Sequence, residues 1–422
     1  MLQEERTVNE IEPPEDRTRT LPDEILEHVI SFLPAQEAVQ TCVLAKHWCH
    51  LWKSMPTLRI IANEWLDEEG VKKLNMFIKS LLLKRNNSAQ IDVCEVEIGE
   101  YSDYGDDPQV DQLVRDALLC QARIIRITVS SEFNWVRLGG PPFISQHLTR
   151  LELTQVDLQD DVLDYSSCLA LKNILMRGCF IQNKNISSQF LEELTIINCT
   201  FHSHGRAHIS APSLVRLELV DCDGATPMIE GMPSLIKATI RLYGSEDVCG
   251  KEEFGGTCST VICHNCGSLS NEDFNRHCVL MKGLSGAESL ELMAESGVFI
   301  FKRDLIWCPT FHKLKTLILN EWCVAIDSHP LICILQHAPV LETLILKLSQ
   351  APDNWDEMEG SYDPSAQPLA LSKKLKLVEI HYDELDRRVH NVIRIMKSHP
   401  NFEEVNGKSH PNFEEVNGDE TF

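Results

Sequence analysis

Residues 191–222 read LEELTIINCTFHSHGRAHISAPSLVRLELVDC and hold the same short pattern twice: Leu191-Leu194-Ile196 and then Leu214-Leu217-Leu219, each followed three residues later by a cysteine, Cys199 and Cys222. The last two apolar positions of each triplet alternate with polar neighbours, as in a short strand with one buried face. Working outward, the pattern recurs at Leu148-Leu151-Leu153, Leu171-Ile174-Met176, Leu235-Ala238-Ile240, Ala287-Leu290-Leu292, Leu314-Leu317-Leu319, Leu341-Leu344-Leu346 and Leu375-Val378-Ile380. Measured at the middle anchor, the steps between the nine copies are 23, 20, 23, 21, 52, 27, 27 and 34 residues.

Most of these steps match the period of about 20 to 29 residues of leucine-rich repeats. Each unit would supply one strand whose alternating leucines point inward. No unit can bury its apolar edge alone, so the units stack into a parallel-strand solenoid with an outward-facing recognition surface. The 52-residue step is expected to contain a tenth, degenerate unit at Cys258-Val261-Cys263, and the 34-residue step to contain an acidic loop insertion at 351–370. Cys179, Cys199 and Cys222 each follow the last anchor of their repeat by three residues, which predicts thiols buried at the turn leaving the strand.

Nearer the N-terminus a different periodicity holds. In residues 20–52, TLPDEILEHVISFLPAQEAVQTCVLAKHWCHLW, the apolar residues Leu21, Ile25 and Val29, with Leu26, Ile30 and Leu33, recur at intervals of three and four. Thr20 and Asp23 have capping-box spacing, Pro22 stands in the first turn and Pro34 ends the run. Val39, Val43 and Leu44 mark a second short helix. Trp48, Leu51 and Trp52 mark a third, closed by Pro56. So few residues offer more apolar surface than they can cover, which predicts a docking element.

The strings Leu21-Pro22-Asp23-Glu24-Ile25-Leu26, Ile30-Ser31-Phe32-Leu33-Pro34, Ala38-Val39, Thr41-Cys42-Val43-Leu44, Lys46, Trp48 and Leu51-Trp52 strongly resemble the plant F-box. With the repeats behind it, the chain resembles plant F-box/leucine-rich-repeat proteins, the substrate receptors of SCF (Skp, cullin, F-box) ubiquitin ligases. The resemblance implies an α/β protein: a three-helix F-box followed by a leucine-rich-repeat solenoid, a parallel-strand horseshoe of about ten irregular repeats. It further implies that the module binds the Skp adaptor, and cullin through it, with Leu21, Pro22, Ile25, Leu26, Ile30, Leu33, Val39, Val43, Trp48, Leu51 and Trp52 as contacts. The family usually carries a basic residue on each side of the first tryptophan, where this chain has His47 and Cys49.

The expected organisation is an acidic leader over 1–15, the F-box over 16–56, a linking segment that caps the solenoid over 57–147, the repeats over 148–396 and a tail over 397–422. In the linking segment, Leu74, Phe77, Ile78, Leu81 and Leu82 predict a helix, as do Val110, Leu113, Val114, Ala117 and Leu118. Alternation through Ile91, Val93, Val96 and Ile98 predicts a strand, as does the run from Ile124 to Val129. The tail holds KSHPNFEEVNG twice in succession, from Lys397 and from Lys408. That reads as a duplication, whose first copy could add an edge strand through Phe402 and Val405 and whose second is expected to fray.

With 63 acidic against 39 basic residues, the formal charge is −24, which repels phosphate backbones and anionic lipid and argues against nucleic-acid or membrane partners. The N-terminus lacks the basic start and apolar run of a secretory signal, so a nuclear or cytoplasmic location is expected, with the 16 cysteines as thiols.

Two clusters have metal-ligand spacing. Cys263 and Cys266 form a CxxC with Cys249, Cys258, His277 and Cys278 nearby, and Cys199 lies close to His202, His204 and His208. A second CxxC is missing, Cys263 fits a repeat anchor and the histidines sit in a polar loop, so structural readings are preferred. Gly283-Leu-Ser285-Gly-Ala287 misses the last glycine of a nucleophile elbow. The sequence thus calls for no cofactor and no catalytic centre.

A substrate receptor needs neither. Outward residues of the repeats would recognise an unknown protein target, the apolar ones being the most informative: Leu175, Ile197, Met293, Ile318 and Ile345, the last three expected to line up as a stripe across successive repeats. The alternatives are a repeat scaffold for protein binding without ligase function, and a receptor whose solenoid pocket takes a small ligand above a polyphosphate. The second alternative needs a cluster of basic residues, whereas the arginines here alternate with glutamates.

Overall fold

The computed structural model describes residues 21–397 apart from 45, 87–88, 103–106, 132–133, 160, 183–184, 202–205, 243–277, 296–299, 306–307, 325–327, 349–371 and 384. The leader, the Thr20 half of the capping box, the Cys258–Cys263 unit, the CxxC, the 351–370 insertion and the duplicated tail lie outside the described residues.

One long parallel sheet organises the chain. Its strands, in spatial order, are β1 (Thr57–Ala62), β2 (Val93–Ile98), β3 (Ile124–Val129), β5 (Arg150–Thr154), β7 (Asn173–Arg177), β10 (Glu193–Ile197), β13 (Arg216–Gly224), β15 (Lys237–Leu242), β16 (Ser289–Ala294), β17 (Thr316–Asn320), β18 (Thr343–Leu348) and β19 (Leu377–Tyr382). Each strand pairs with the next along this path, so the sheet grows one repeat at a time. This is the leucine-rich-repeat solenoid that the pattern predicts.

The anchors face inward without exception. Every apolar residue of the nine patterns is buried, from Leu148 to Ile380. In register, Leu151, Ile174, Leu194, Leu217, Ala238, Leu290, Leu317, Leu344 and Val378 form one continuous row. Burying a side chain of this size stabilises by about 1.5–3 kcal/mol, and such rows are where a stacked fold finds most of its driving force.

Two expectations change. The sheet begins at Thr57 rather than at residue 148, because the stretch expected to cap the solenoid itself contributes β1, β2 and β3. Its anchors are Met55-Leu58-Ile60, Ile91-Cys94-Val96 and Ala122-Ile125-Ile127, all buried in the positions that leucines hold elsewhere. In β2 it is therefore Cys94, not Val93, that points inward. The 52-residue step, in turn, adds no strand to this sheet between its flanking repeats, because β15 and β16 pair directly.

What lies between the strands follows from the length of each step. Long steps hold helices: α3 (Glu68–Lys84) and α4 (Val110–Leu119) near the start, the short α5 (Met281–Leu284) before β16 and α6 (Ile300–Asp304) before β17, α7 (His329–Gln336) before β18, and α8 (Arg387–Met396) after β19. The 20- to 23-residue steps of the middle are too short for a strand, two turns and a full helix. There the chain returns through short strands instead. β4 (Val136–Leu138), β6 (Val156–Leu158), β8 (Phe180–Ile181) and β11 (Thr200–Phe201) form a second ladder leading onto the end of β13, and β9 (Asn185–Ser187), β12 (His208–Ser210) and β14 (Met228–Ile229) form a small separate sheet.

The bend between the two ladders repeats a single backbone device. Gln155, Gly178, Asn198 and Asp221, each the residue after its outward strand position, all take positive φ, between 52° and 59°. The next residue turns inward, and in three repeats it is a cysteine. Cys179 Sγ donates to the Leu153 carbonyl at 3.4 Å and Cys222 Sγ to the Ile196 carbonyl at 3.6 Å, each reaching back to the preceding strand, while the Cys179 N–H donates to Cys199 Sγ at 3.3 Å. These are the buried turn thiols that the spacing predicts. Burial pushes the Cys222 thiol up to about 11, which keeps it protonated at neutral pH.

Candidate protein-binding surfaces

α1 (Asp23–Ile30) starts at Pro22, whose carbonyl accepts from the N–H of Ile25 and of Leu26. Pro22 is the N-cap residue itself and offers no side-chain bond, so the predicted capping box does not start this helix. α2 (Ala35–Gln40) follows Pro34 and passes into a 3₁₀ turn, Thr41–Val43. The third helical segment consists of two further 3₁₀ turns, Lys46–Cys49 and Leu51–Lys53.

The broad apolar stripe of α1 divides between two environments. Leu26 and Ile30, four residues apart, enter one core with Ala35, Ala38, Leu51, Trp52, Met55 and Leu58, continuous with the core of the solenoid. Trp52 is only 6% exposed. Leu33, Val39 and Trp48 pack partly buried against that core. The opposite flank stays in solvent. Leu21, Ile25 (49%) and Val29 lie along it, followed by Phe32 (63%), Val43 (87%) and Leu44 (69%), and Pro22 is exposed beside them. Exposed large apolar side chains grouped in so short a segment make it a candidate contact surface.

Among the eleven predicted contacts, Leu26, Ile30, Leu51 and Trp52 therefore hold the module together. The outward-facing ones are Leu21, Pro22, Ile25 and Val43. Val29, Phe32 and Leu44 belong with this surface although the sequence reading did not select them; the spacing of Leu21, Ile25 and Val29 was the available signal. Beside the patch, His47 Nε2 lies 3.2 Å from Asp23 Oδ1, and the Cys49 thiol donates to the Cys42 carbonyl at 3.4 Å. Burial, with the neighbouring Asp23 and Glu24, raises the pKa of Glu27.

The outward face of the long sheet is the second surface. Its central row runs Arg59, Glu95, Arg126, Glu152, Leu175, Thr195, Glu218, Thr239, Glu291, Ile318, Ile345 and Glu379. The first four neutralise one another as a ladder: Arg59–Glu95 at 3.2 Å, Arg126–Glu95 at 4.0 Å and Arg126–Glu152 at 3.1 Å. Further along, Lys347 reaches across one strand to Glu291 at 3.1 Å.

The five predicted recognition residues are all half-buried outward positions, yet they do not make the expected stripe. Ile318 pairs with Glu291 on one side and Ile345 on the other, whereas Met293 pairs with Arg241 in the adjacent row. A two-residue offset along the strand separates Met293 from the isoleucines. Leu175 and Ile197 sit in neighbouring rows of adjoining strands, with Val220 next to Ile197.

A profile of the F-box domain matches residues 20–60, the segment that carries the exposed apolar flank. An F-box/FBD/LRR-repeat protein of Arabidopsis thaliana is 26% identical over 407 residues, covering 87% of this chain and 83% of its own length. Two F-box/LRR-repeat proteins of the same plant are 24% and 23% identical, covering 79% and 92% of this chain and 69% and 87% of their own lengths. The chain carries an F-box and is similar along most of its length to plant F-box/leucine-rich-repeat proteins. Similarity through most of the sequence fits the continuous core, since the F-box and the first strand pack as one body: α2 lies against β1 and α1 against the Leu51–Lys53 turn. Among the described residues, no helix is long and apolar enough to cross a membrane.

Proposed function

We propose that this F-box/leucine-rich-repeat protein is the substrate-selecting subunit of an SCF-type ubiquitin ligase. Its exposed F-box flank takes the Skp adaptor, and cullin through it, and the outward sheet face takes a protein target. One observation carries the reading: Ile25, Val29, Phe32, Val43 and Leu44 stay in solvent although Leu26, Ile30 and Trp52 from the same turns fill a core. Such a subunit makes and breaks no bonds. It raises the effective concentration of a target lysine near the thioester of a conjugating enzyme, which is catalysis by proximity. Its expected place of work is the nucleus or cytoplasm, where cysteines stay as thiols.

A second reading is a repeat scaffold without ligase partners. It is favoured by His47 and Cys49, which occupy the positions where the family usually offers basic residues and which have partners inside the module. Co-purification with the Skp adaptor and cullin separates the two. Ile25→Asp and Val43→Asp, both on the exposed flank, should abolish capture with the fold unchanged. Full capture by both variants would remove the ligase reading.

A further inference from the structure

Three metal-ligating side chains meet in the C-terminal third, away from both surfaces described above. Cys308 lies on the segment after α6 (Ile300–Asp304), Cys333 lies on α7, and His337 caps the end of α7 four residues on, over the same face of the helix. Their two sulfurs and a ring nitrogen all lie within 4.8 Å of one another. The Nδ1 of His337 stands 2.8 Å from the Cys333 carbonyl oxygen and 4.0 Å from the Cys333 sulfur, so the imidazole is held against the thiol pair.

This cluster differs from the turn thiols. Cys179 and Cys222 are buried at turns and bond carbonyls of the preceding strand, whereas Cys308 and Cys333 are half-buried and hydrogen-bond each other, with the Pro309 carbonyl 3.7 Å from the first and the Leu305 carbonyl 3.9 Å from the second. Further ligand-type groups stand around it, with Cys278 and the Asp304 carboxylate acting on Cys308 and His329 acting on Cys333.

We propose that Cys308, Cys333 and His337 bind a borderline-soft transition metal ion, zinc being the best fit, which clamps α7 to the segment after α6. The donor set decides the class of ion: two thiolates and an imidazole suit tetrahedral zinc, while calcium and magnesium require oxygen ligands. Zinc–sulfur bonds of about 2.3 Å bring ligand atoms to about 3.8 Å apart, which side-chain rotation can reach from the observed spacing. The fourth position falls to water or to His329, one turn before Cys333 on α7. On binding, both thiols give up their protons to solvent as the two sulfur–metal bonds form.

Since α6 precedes β17 and α7 precedes β18, the ion would join two successive repeats on the side away from the recognition face. A clamp there has a plain physical use. Metal binding adds directly to folding free energy, so a cross-link between repeats would add to what stacking supplies.

Cobalt(II) added to the purified full-length chain tests the site. The expected result is a thiolate-to-cobalt charge-transfer band that saturates at one equivalent and bleaches with zinc. The band should vanish in Cys333→Ser and in Cys308→Ser and persist in the Cys263→Ser/Cys266→Ser double variant. His337→Ala should weaken cobalt binding at least about tenfold. Circular dichroism identifies variants that fold, and either thiol variant alone suffices for the comparison. No band in the wild-type chain, a band that survives both thiol replacements, or a band lost with Cys263 and Cys266 would each overturn the proposal.

Discussion

Arg85 donates a hydrogen bond from Nη2 to the main-chain oxygen of Met55 at 2.5 Å, and it does so from a position only 6% exposed to solvent. Arg85 ends α3, and Met55 opens the first buried anchor triplet as the chain leaves the F-box. Desolvation lowers the Arg85 pKa, yet a guanidinium stays charged, so the charge is held in the junction by the carbonyl it serves. Arg85→Met should therefore cost about 2–3 kcal/mol, because it leaves a buried carbonyl without a donor. A urea denaturation midpoint equal to wild type would show that the junction does not depend on this contact.

Gly224 closes the bend at the end of β13 with φ at +83°, and a β-carbon there would collide with the main-chain oxygen of Phe201. Left-handed backbone alone costs a non-glycine residue about 1–2 kcal/mol, and the collision adds to that. Gly224→Ala should lower stability by more than about 2 kcal/mol. Gly231 has open space around its missing β-carbon, so Gly231→Ala should stay within about 0.5 kcal/mol of wild type. Thermal melts of the two variants side by side check the contrast, and equal melts would contradict the bend geometry.

Neighbouring residues of β18 point to opposite faces: Leu344 is buried and Ile345 is half-exposed beside Ile318. Leu344→Ala should cost about 2–5 kcal/mol through cavity formation. Ile345→Lys should change stability by less than about 1 kcal/mol, since the lysine stays in solvent and faces Glu379 on the next strand. If the proposed recognition face is correct, Ile345→Lys still loses target capture in a proximity-labelling experiment with the proteasome inhibited. Loss of fold in Ile345→Lys would show that the position is structural.

How far the sequence speaks for itself depended on which residue filled an anchor. Where leucine or isoleucine held all three positions, as at Leu214, Leu217 and Leu219, repeat and strand were both legible. In the first three units Met55, Cys94 and Ala122 take anchor places, and steps lengthened by α3 and α4 hid the period, so the same architecture passed for a cap. On the sheet face, composition identified outward residues correctly, but register decides which of them touch. Nothing local reveals that Met293 aligns with Arg241. The F-box string located a docking module. It could not divide the stripe of α1 into Leu26 and Ile30 inside and Ile25 and Val29 outside, because only packing against Trp52 and Met55 settles which flank is covered. Cys333 and His337 had helical ligand spacing, but their third partner, Cys308, is supplied by tertiary structure.

Asp164 provides a pH-dependent contact in the middle of the solenoid. Its Oδ1 accepts from the Ser187 hydroxyl at 2.7 Å and from the Ser166 N–H at 3.0 Å, and the Ser187 bond is the main reason its pKa lies below the usual carboxylate value. A folded-state pKa below the unfolded one means that the ionised form is favoured by folding. The stabilisation is complete above the unfolded value, about 3.9, and is lost as pH falls through the lower folded value. Ser187→Ala should thus destabilise by about 0.5–1 kcal/mol at pH 7, a figure reduced for the partial exposure of the carboxylate. The gap between wild type and Ser187→Ala should then narrow as urea titrations are moved from pH 7 to below about pH 4. A gap that stays constant down to that pH would mean that the hydroxyl serves some acceptor other than the ionised Asp164.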